Sequence, residues 1–407
     1  MALASTSLVQ MQGVEELVYG ETPIAGSSFE IRCTGESFNY TISKEVSGEI
    51  NQYRANTSKV PVSAESGGTL NCQMQYGEYD RFFQAALQDS WDAYGVDGIG
   101  AAFSATFATG TITAAVAPTG ASAFSNLSLG QWFTVTGTGT ANDNKLFRVH
   151  PTTVPTTTVV TLDPGTPGVA GGPYAATVLK SSRLSNGTNQ RSFSLERKSI
   201  DTGEFFVFTG QTVSAFSLSI ADGSLSTLDF TFMGKASDAD TSSFLPGTPA
   251  VSSAYQIMSG VSGTSCALWV NGAPLTSTFV KSISLNYDNA LRMQNAICFL
   301  GSIGIGSGTI ALKVDLEIYF ATGKTFFAEF LNNENIELSF TAFDSEGNGY
   351  VFTIPQANVD TYNVSAGGKD QDMMVSVSLE GLLDLGNPTP TLRKVMFMDR
   401  LGAALDL

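Results

Sequence analysis

The residue types that usually do chemistry are sparse in this sequence. Its one histidine, His150, stands beside Pro151 in a strand-like stretch, and any Ser-His-Asp or Cys-His pair would have to be built on it. That count alone excludes a histidine-rich metal site. Asp344-Ser345-Glu346-Gly347-Asn348-Gly349 opens like a calcium loop. Its twelfth position, which should supply a bidentate carboxylate, is Pro355, so the stretch reads as a hairpin turn. Gly301 to Gly308 holds four glycines but no lysine, so it lacks a phosphate cradle. Cys33, Cys72, Cys266 and Cys298 show no C-x-x-C spacing and lie in strand-like text, which reads as buried free thiols. No catalytic, cofactor or metal residues are expected, and an enzyme is not the expected class.

The elements that would position any site read as β-structure. The chain has 407 residues, 43% hydrophobic and only 14% charged, with 41 glycines and a formal net charge of −16. This suits a folded, low-charge β protein of two to three domains. The charge argues against binding nucleic acid by phosphate neutralisation, though not against nucleic acid passing nearby. No signal peptide and no run of ~18 apolar residues is evident, so folding in a reducing cytoplasm without membrane insertion is expected.

One unit is written twice. Phe38-Asn39-Tyr40, Gly68-Thr69-Leu70 and Phe82-Phe83 with Leu87 match Leu285-Asn286-Tyr287, Gly308-Thr309-Ile310 and Phe326-Phe327 with Leu331. In each copy the second Phe stands four residues before Leu, which places both on one helix face, over Asp80 to Gln88 and Lys324 to Asn332. Phe82, Phe83, Leu87, Phe326, Phe327 and Leu331 are therefore expected to pack these helices on the sheets. Both copies continue from a glycine (Gly203, Gly349) into strands that close on Gly234 and Gly381. From Leu87 to Gly203 is 116 positions, whereas Leu331 to Gly349 is 18, so the first copy carries an insertion of 98.

The insertion is rich in Ala, Gly, Thr and Ser, with strands expected at Thr111 to Val116, Trp132 to Val135, Leu146 to His150 and Thr158 to Leu162. Trp132, Val135, Phe147, Val149 and Leu162 form its expected core. The expected organisation is an N-terminal arm (1–26), a first module (27–96 and 183–237), an inserted β domain (97–182), a linker (238–264), a second module (265–385) and a tail (386–407). The fold class is mainly β: two sandwich or barrel modules, each with a short helix, plus a small all-β inserted domain.

Tyr19-Gly20-Glu21-Thr22-Pro23, Thr34-Gly35-Glu36-Ser37-Phe38, Tyr76-Gly77-Glu78-Tyr79-Asp80, Arg191-Ser192-Phe193 and Phe232-Met233-Gly234-Lys235 resemble text of the major tail tube proteins of long-tailed bacteriophages. Gly130-Gln131-Trp132 and Phe147-Arg148-Val149 are similar to a small β module found in some members. The insertion departs from that module's usual turn at Asn144-Lys145-Leu146.

The resemblance implies a structural virion protein. Its modules would join their sheets into a closed barrel that carries DNA, without specific binding, from capsid to host cell. It implies trimeric rings stacked in a helical tube, contacts with tape measure, terminator and distal tail proteins, and assembly in the bacterial host cytoplasm. A bore that is acidic or neutral, and an insertion that projects outward and is dispensable for polymerisation, are further expectations. A decoration or carbohydrate-binding surface protein remains the alternative, and an enzyme on a β-scaffold a third class.

Overall fold

The computed structural model describes residues 5–92, 102–261, 267–276, 278–320, 326–387 and 389–402. The first part of the chain forms β1 (Val9–Glu15), β2 (Phe29–Ile31), β3 (Gly35–Glu36), β4 (Asn39–Val46), β5 (Lys59–Gln73) and α1 (Asp80–Leu87). Six strands follow in the insertion: β6 (Phe103–Ala108), β7 (Thr111–Ala114), β8 (Trp132–Thr136), β9 (Leu146–Arg148), β10 (Val159–Thr161) and β11 (Gly171–Lys180). The first part then resumes with β12 (Ser182–Ser185), β13 (Phe193–Ser199), β14 (Glu204–Ala221), β15 (Thr227–Gly234) and β16 (Ala236–Asp240). The last part comprises β17 (Leu268–Val270), β18 (Ala273–Pro274), β19 (Val280–Asp288), β20 (Arg292–Gln294), β21 (Gly304–Gly306), β22 (Ala311–Tyr319), α2 (Phe327–Asn332), β23 (Asn335–Phe343), β24 (Gly349–Ala366), β25 (Met373–Gly381) and β26 (Phe397–Leu401). The chain is mostly strand with few helices.

Two sets of strands share one pairing scheme. In the first, β4 pairs with β5, β5 with β15 and β15 with the C-terminal half of β14. In the second, β19 pairs with β22, β22 with β25 and β25 with the C-terminal half of β24. The N-terminal halves of β14 and β24 leave these sheets and enter a second layer, beside β13 and β23 respectively. Matching irregularities mark the bends, between Val213 and Ala215 in one and between Val359 and Thr361 in the other. An extra residue at such a point bends and twists the strand, which lets one long strand serve two layers.

The two sets join through β14 and β19, which pair from Ala215↔Asp288 to Ala221↔Ser282. The result is one antiparallel sheet in the order β4-β5-β15-β14-β19-β22-β25-β24. Its strands alternate, with Leu70, Phe230, Phe216 and Tyr287 buried on one face and polar residues on the other. Side chains from the second layer, among them Leu195, Leu338, Phe340 and Phe352, complete the main core. Gly68 permits a close approach within it, because a Cβ there would lie 2.6 Å from the Phe38 Cα.

The registers revise the repeat as the sequence presents it. Tyr40 opposes Ser66 and Tyr287 opposes Leu312, so Phe38-Asn39-Tyr40 and Leu285-Asn286-Tyr287 occupy corresponding places in the two sets. Leu70 then corresponds to Leu316, not to Ile310, because Leu70 and Leu316 face the matching residues Phe230 and Val377. The expected arm is also different. Val9–Glu15 is a strand on β13, held by buried Met11 and Val14. The linker begins as β16, paired with β14.

The inserted strands form a six-stranded sheet in the order β10-β7-β6-β11-β8-β9, and a Val149↔Leu162 bridge brings its two end strands together. Val135, Phe147, Val149 and Leu162 share its core with Phe107, Ile112 and Phe133. Trp132 does not. It faces the other way, into a cluster with Trp269, Phe343, Val351 and Leu401 of the last part of the chain. The reason is alternation: Phe133 and Val135 share one phase of β8 and Trp132 takes the other, where the outer face of β23–β24–β26 offers it apolar cover.

Candidate functional site

The polar face of the eight-stranded sheet is a continuous surface built by period-two alternation. One row across it reads Asn71, Asp229, Ser217, Asn286, Lys313 and Glu380, each opposite the next in register. A second row runs Ser219, Ser284, Asp315, Ser378 and Thr361. Small hydroxyl and amide side chains predominate. Among the charges, Asp229, Asp288, Asp315, Glu317 and Glu380 outnumber Lys281 and Lys313. Lys313 lies 3.5 Å from Asp315 and Lys281 lies 3.8 Å from Glu317, so both amines are already partnered by carboxylates. A shallow hollow of about 480 Å³ on this face is bordered by Asp229, Asn286, Lys313 and Glu380.

The sheet ends in two edges that no described strand covers. One is β4. The other is the part of β24 from residue 360 onward, whose residues are exposed apart from half-buried Tyr362. An open edge presents a row of unpaired backbone groups and is a template for pairing with another chain. Beyond one end of the sheet the β4–β5 hairpin projects, carrying exposed Ile42, Val46, Ile50, Tyr53, Val60 and Val62. At the opposite end a groove of about 600 Å³ runs between Ile220, Leu268, Leu275, Phe279 and Tyr319.

The helices differ in what covers them. Phe82, Phe83 and Leu87 of α1 are all buried in the main core. On α2, Phe326 at the N-cap is buried and Phe327 packs on Tyr362, but Leu331 is 64% exposed and makes no core contact. The 324–332 segment expected as a helix begins only at Phe327, and residues 321–325 lie outside those described. The i, i+4 spacing put Leu331 on the face of Phe327, but among the described residues the cover that Tyr362 gives that face does not extend to Leu331.

On the far side of the second layer sits the insertion. The Trp132 indole N–H donates to the Thr353 hydroxyl at 3.0 Å, and its ring centroid lies 4.8 Å from that of Trp269. Arg148 pairs with Asp163 at 3.3 Å and with Glu337 of β23. Burial pushes the Glu337 carboxyl up, and the Arg148 guanidinium pulls it back down.

Buried polar groups missed in the sequence tie β26 to distant segments. Arg183 grips Asp399 through two bonds of 2.9 and 2.8 Å, and Ser181 donates to the same carboxylate at 2.7 Å. Asp80, fully buried, pairs with Arg400 and accepts from the Tyr350 hydroxyl at 2.6 Å. Burial pushes both the Asp80 carboxyl and the Tyr350 phenol upward, with Arg400 opposing. No spacing signal announces such pairs, since Asp80 and Arg400 stand at opposite ends of the sequence.

The remaining sequence candidates fall in ordinary surroundings. The His150 Nδ1 is contacted by the Thr152 and Thr153 hydroxyls at 3.2 and 3.1 Å. Asp344 closes the β23–β24 turn by accepting from the Glu346 and Asn348 amides at 2.8 and 2.9 Å. Cys72 is buried and Cys33 half-buried, but Cys298 is exposed in the loop between β20 and β21, contrary to the expectation of burial; Cys266 lies outside the described residues. Among the described residues no three His, Cys, Asp or Glu side chains converge, and no helix is long and apolar enough to cross a membrane.

No curated protein matches the chain. The model of the phage tail tube protein family matches residues 6–381, which takes in both strand sets and the insertion. This chain belongs to the phage tail tube protein family, and its role is that of a structural virion protein.

Proposed function

We infer that the two strand sets are two tube modules and that the protein polymerises into stacked rings forming the DNA conduit of a phage tail. The observation that carries this is the continuous eight-stranded sheet, with one face polar and both edges open. Joining such sheets edge to edge removes every open edge once the ring closes. The polar face then lines the bore. Its excess of carboxylates repels phosphate, and its hydroxyls and amides leave no cluster of cations to hold DNA back. The insertion, on the other side of the second layer, decorates the outside.

If the circumference holds six modules, as the family resemblance implies, three chains close one ring. Rings stack head to tail, a heterologous arrangement that extends into an open filament. The apolar β4–β5 hairpin at one end and the groove beside Phe279 at the other are suited to meet in that stack. Tape measure, terminator and distal tail proteins would cap and fill the tube, assembled in the host cytoplasm and carried in the virion tail.

Electron microscopy of the purified full chain tests this. Tubes or stacked rings with three outer knobs per ring are expected. Isolated particles at all concentrations would overturn it and favour a decoration or carbohydrate-binding protein.

A further inference from the structure

The seam inside the chain contains a row of three aromatic rings. Phe83 of α1 packs edge-on against Phe216 of β14 with centroids 5.5 Å apart, and Phe216 stacks on Tyr287 of β19 at 5.4 Å. Strand register gives each of these a counterpart in the second set. Phe216 lies two residues beyond the irregularity at Ser214, opposite Phe230; Tyr362 lies two beyond the one at Asp360, opposite Val377. Phe83 corresponds to Phe327, whose ring lies 5.2 Å from Tyr362. Tyr287 corresponds to Tyr40, by their equivalent pairings with Leu312 and Ser66. Within one chain, however, Tyr362 and Tyr40 sit on opposite edge strands of the eight-stranded sheet. Phe330 of α2 also stacks on Tyr362 at 6.4 Å, but no described ring takes the place of Tyr287 on its other side, so the row from Phe327 through Tyr362 lacks its third member.

We propose that Tyr40 of a second copy of this chain supplies the third ring. The open part of β24 pairs antiparallel with β3–β4 of that copy, in the register of the internal β14–β19 seam. This rests on the tube reading and adds which edge meets which, and at which residues.

Transferring the internal register sets Tyr362 opposite Tyr40, Val364 opposite Phe38 and Asn363 opposite Asn39. In the internal seam the same positions are Phe216–Tyr287, Leu218–Leu285 and Ser217–Asn286. Apolar meets apolar and polar meets polar at these three steps, and a slip of one residue would put each side chain on the wrong face. A slip of two would keep the faces but separate the tyrosines. Exposure agrees with a missing neighbour. Leu218 is 1% exposed in the closed seam, and its counterpart Val364 is 46% exposed at the open edge. Arg197 already donates to the Phe38 carbonyl at 2.8 Å, so the new backbone bonds centre on Asn39 to Thr41.

Cysteine pairs in the full chain, with exposed Cys298 changed to Ser, test the register. Facing residues on antiparallel strands have Cβ atoms about 4.5–5.5 Å apart, near disulfide range. Asn39→Cys with Asn363→Cys should link chains into covalent rings on a non-reducing gel. Ser217→Cys with Asn286→Cys should lock the internal seam and serves as the control for reactivity. Thr41→Cys with Asn363→Cys, two residues out of register, should link at least about tenfold less. Rings that form and give the internal bond but no 39–363 bond would overturn the register and leave the tube reading standing. Preferential 41–363 linkage would overturn it in the same way. A wild-type chain that stays monomeric would overturn both.

Discussion

The β14–β19 seam and the outer edge of β24 are built from matching strands, yet they live in different surroundings. In the seam, Phe216, Leu218 and Ile220 are buried between α1, β15 and β19. At the edge, Tyr362, Val364 and Ala366 have β25 on one side and solvent on the other. The helices follow suit: the second-set residue with the spacing of buried Leu87 is exposed Leu331. Neither propensity nor alternation separates the two strands. What separates them is that β19 adjoins β14 within the chain, whereas no described strand adjoins β24 beyond residue 360; in the proposed ring a second chain takes that place.

Truncating one ring in each place should break this comparison most visibly. Phe216→Ala removes a fully enclosed ring and should destabilise the chain by about 3–5 kcal/mol in urea denaturation. Tyr362→Ala should cost the monomer no more than about 1 kcal/mol, because its ring is only half covered. It should instead abolish rings in sedimentation while the monomer stays folded. Equal losses of monomer stability in the two variants would mean that the edge of β24 is complete as it stands.

The outer layers give a second contrast. The second set's outer face carries Trp269, Phe343, Val351 and Leu401 beneath Trp132 of the insertion. Trp132→Ala should therefore cost about 3 kcal/mol and weaken insertion and second set together. The sequence marks the inserted domain (97–182) as dispensable for polymerisation; replacing its strands, 103–180, by a Gly/Ser linker should leave an aggregation-prone protein unless Trp269 and Phe343 are also made polar. A clean, soluble deletion variant would show that the insertion is only perched there.

How far this was legible in the sequence follows from period and distance. The Asn-Tyr match at Asn39-Tyr40 and Asn286-Tyr287 located the equivalent strands because it is a specific pair of residues. The Gly-Thr match misaligned β5 and β22 by six positions, since alternation repeats every two residues and an even slip leaves the pattern intact. Val135, Phe147, Val149 and Leu162 were legible as one core because they share the inward phase of their strands. Trp132 was not, because its cover comes from strands far away in sequence. Buried pairs such as Asp80–Arg400 left no sequence signal at all.

Charge on the polar face should matter little to the fold and much to the bore. Asp229→Lys with Glu380→Lys, both on solvated positions, should change monomer stability by no more than about 0.5 kcal/mol each. Rings of this variant should retain DNA at low salt and release it as salt rises, because phosphate contacts are lost with counterion uptake. Wild-type rings should retain none. Retention by the wild type at the same salt would place a different face toward the bore.

The smallest effect expected is on alkaline stability. Burial already pushes the Tyr362 phenol upward at the open edge, and it pushes Tyr287 in the closed seam well above the usual tyrosine range. If a second chain covers Tyr362, its phenol should rise further, toward that of Tyr287. A phenol whose value is raised on assembly contributes stability that is fully present below the unassembled value, here already above the ordinary tyrosine range, and lost as pH rises through the assembled one. Rings should then separate into folded chains at strongly alkaline pH, before the internal seam opens, because Tyr287 resists ionisation more strongly. Sedimentation followed against tyrosinate absorbance would show the order of the two events. Tyr362→Phe keeps the ring but removes the ionisation, and should carry the dissociation midpoint upward; an unchanged midpoint would assign alkaline separation to other groups and leave the two seams unlinked by this test.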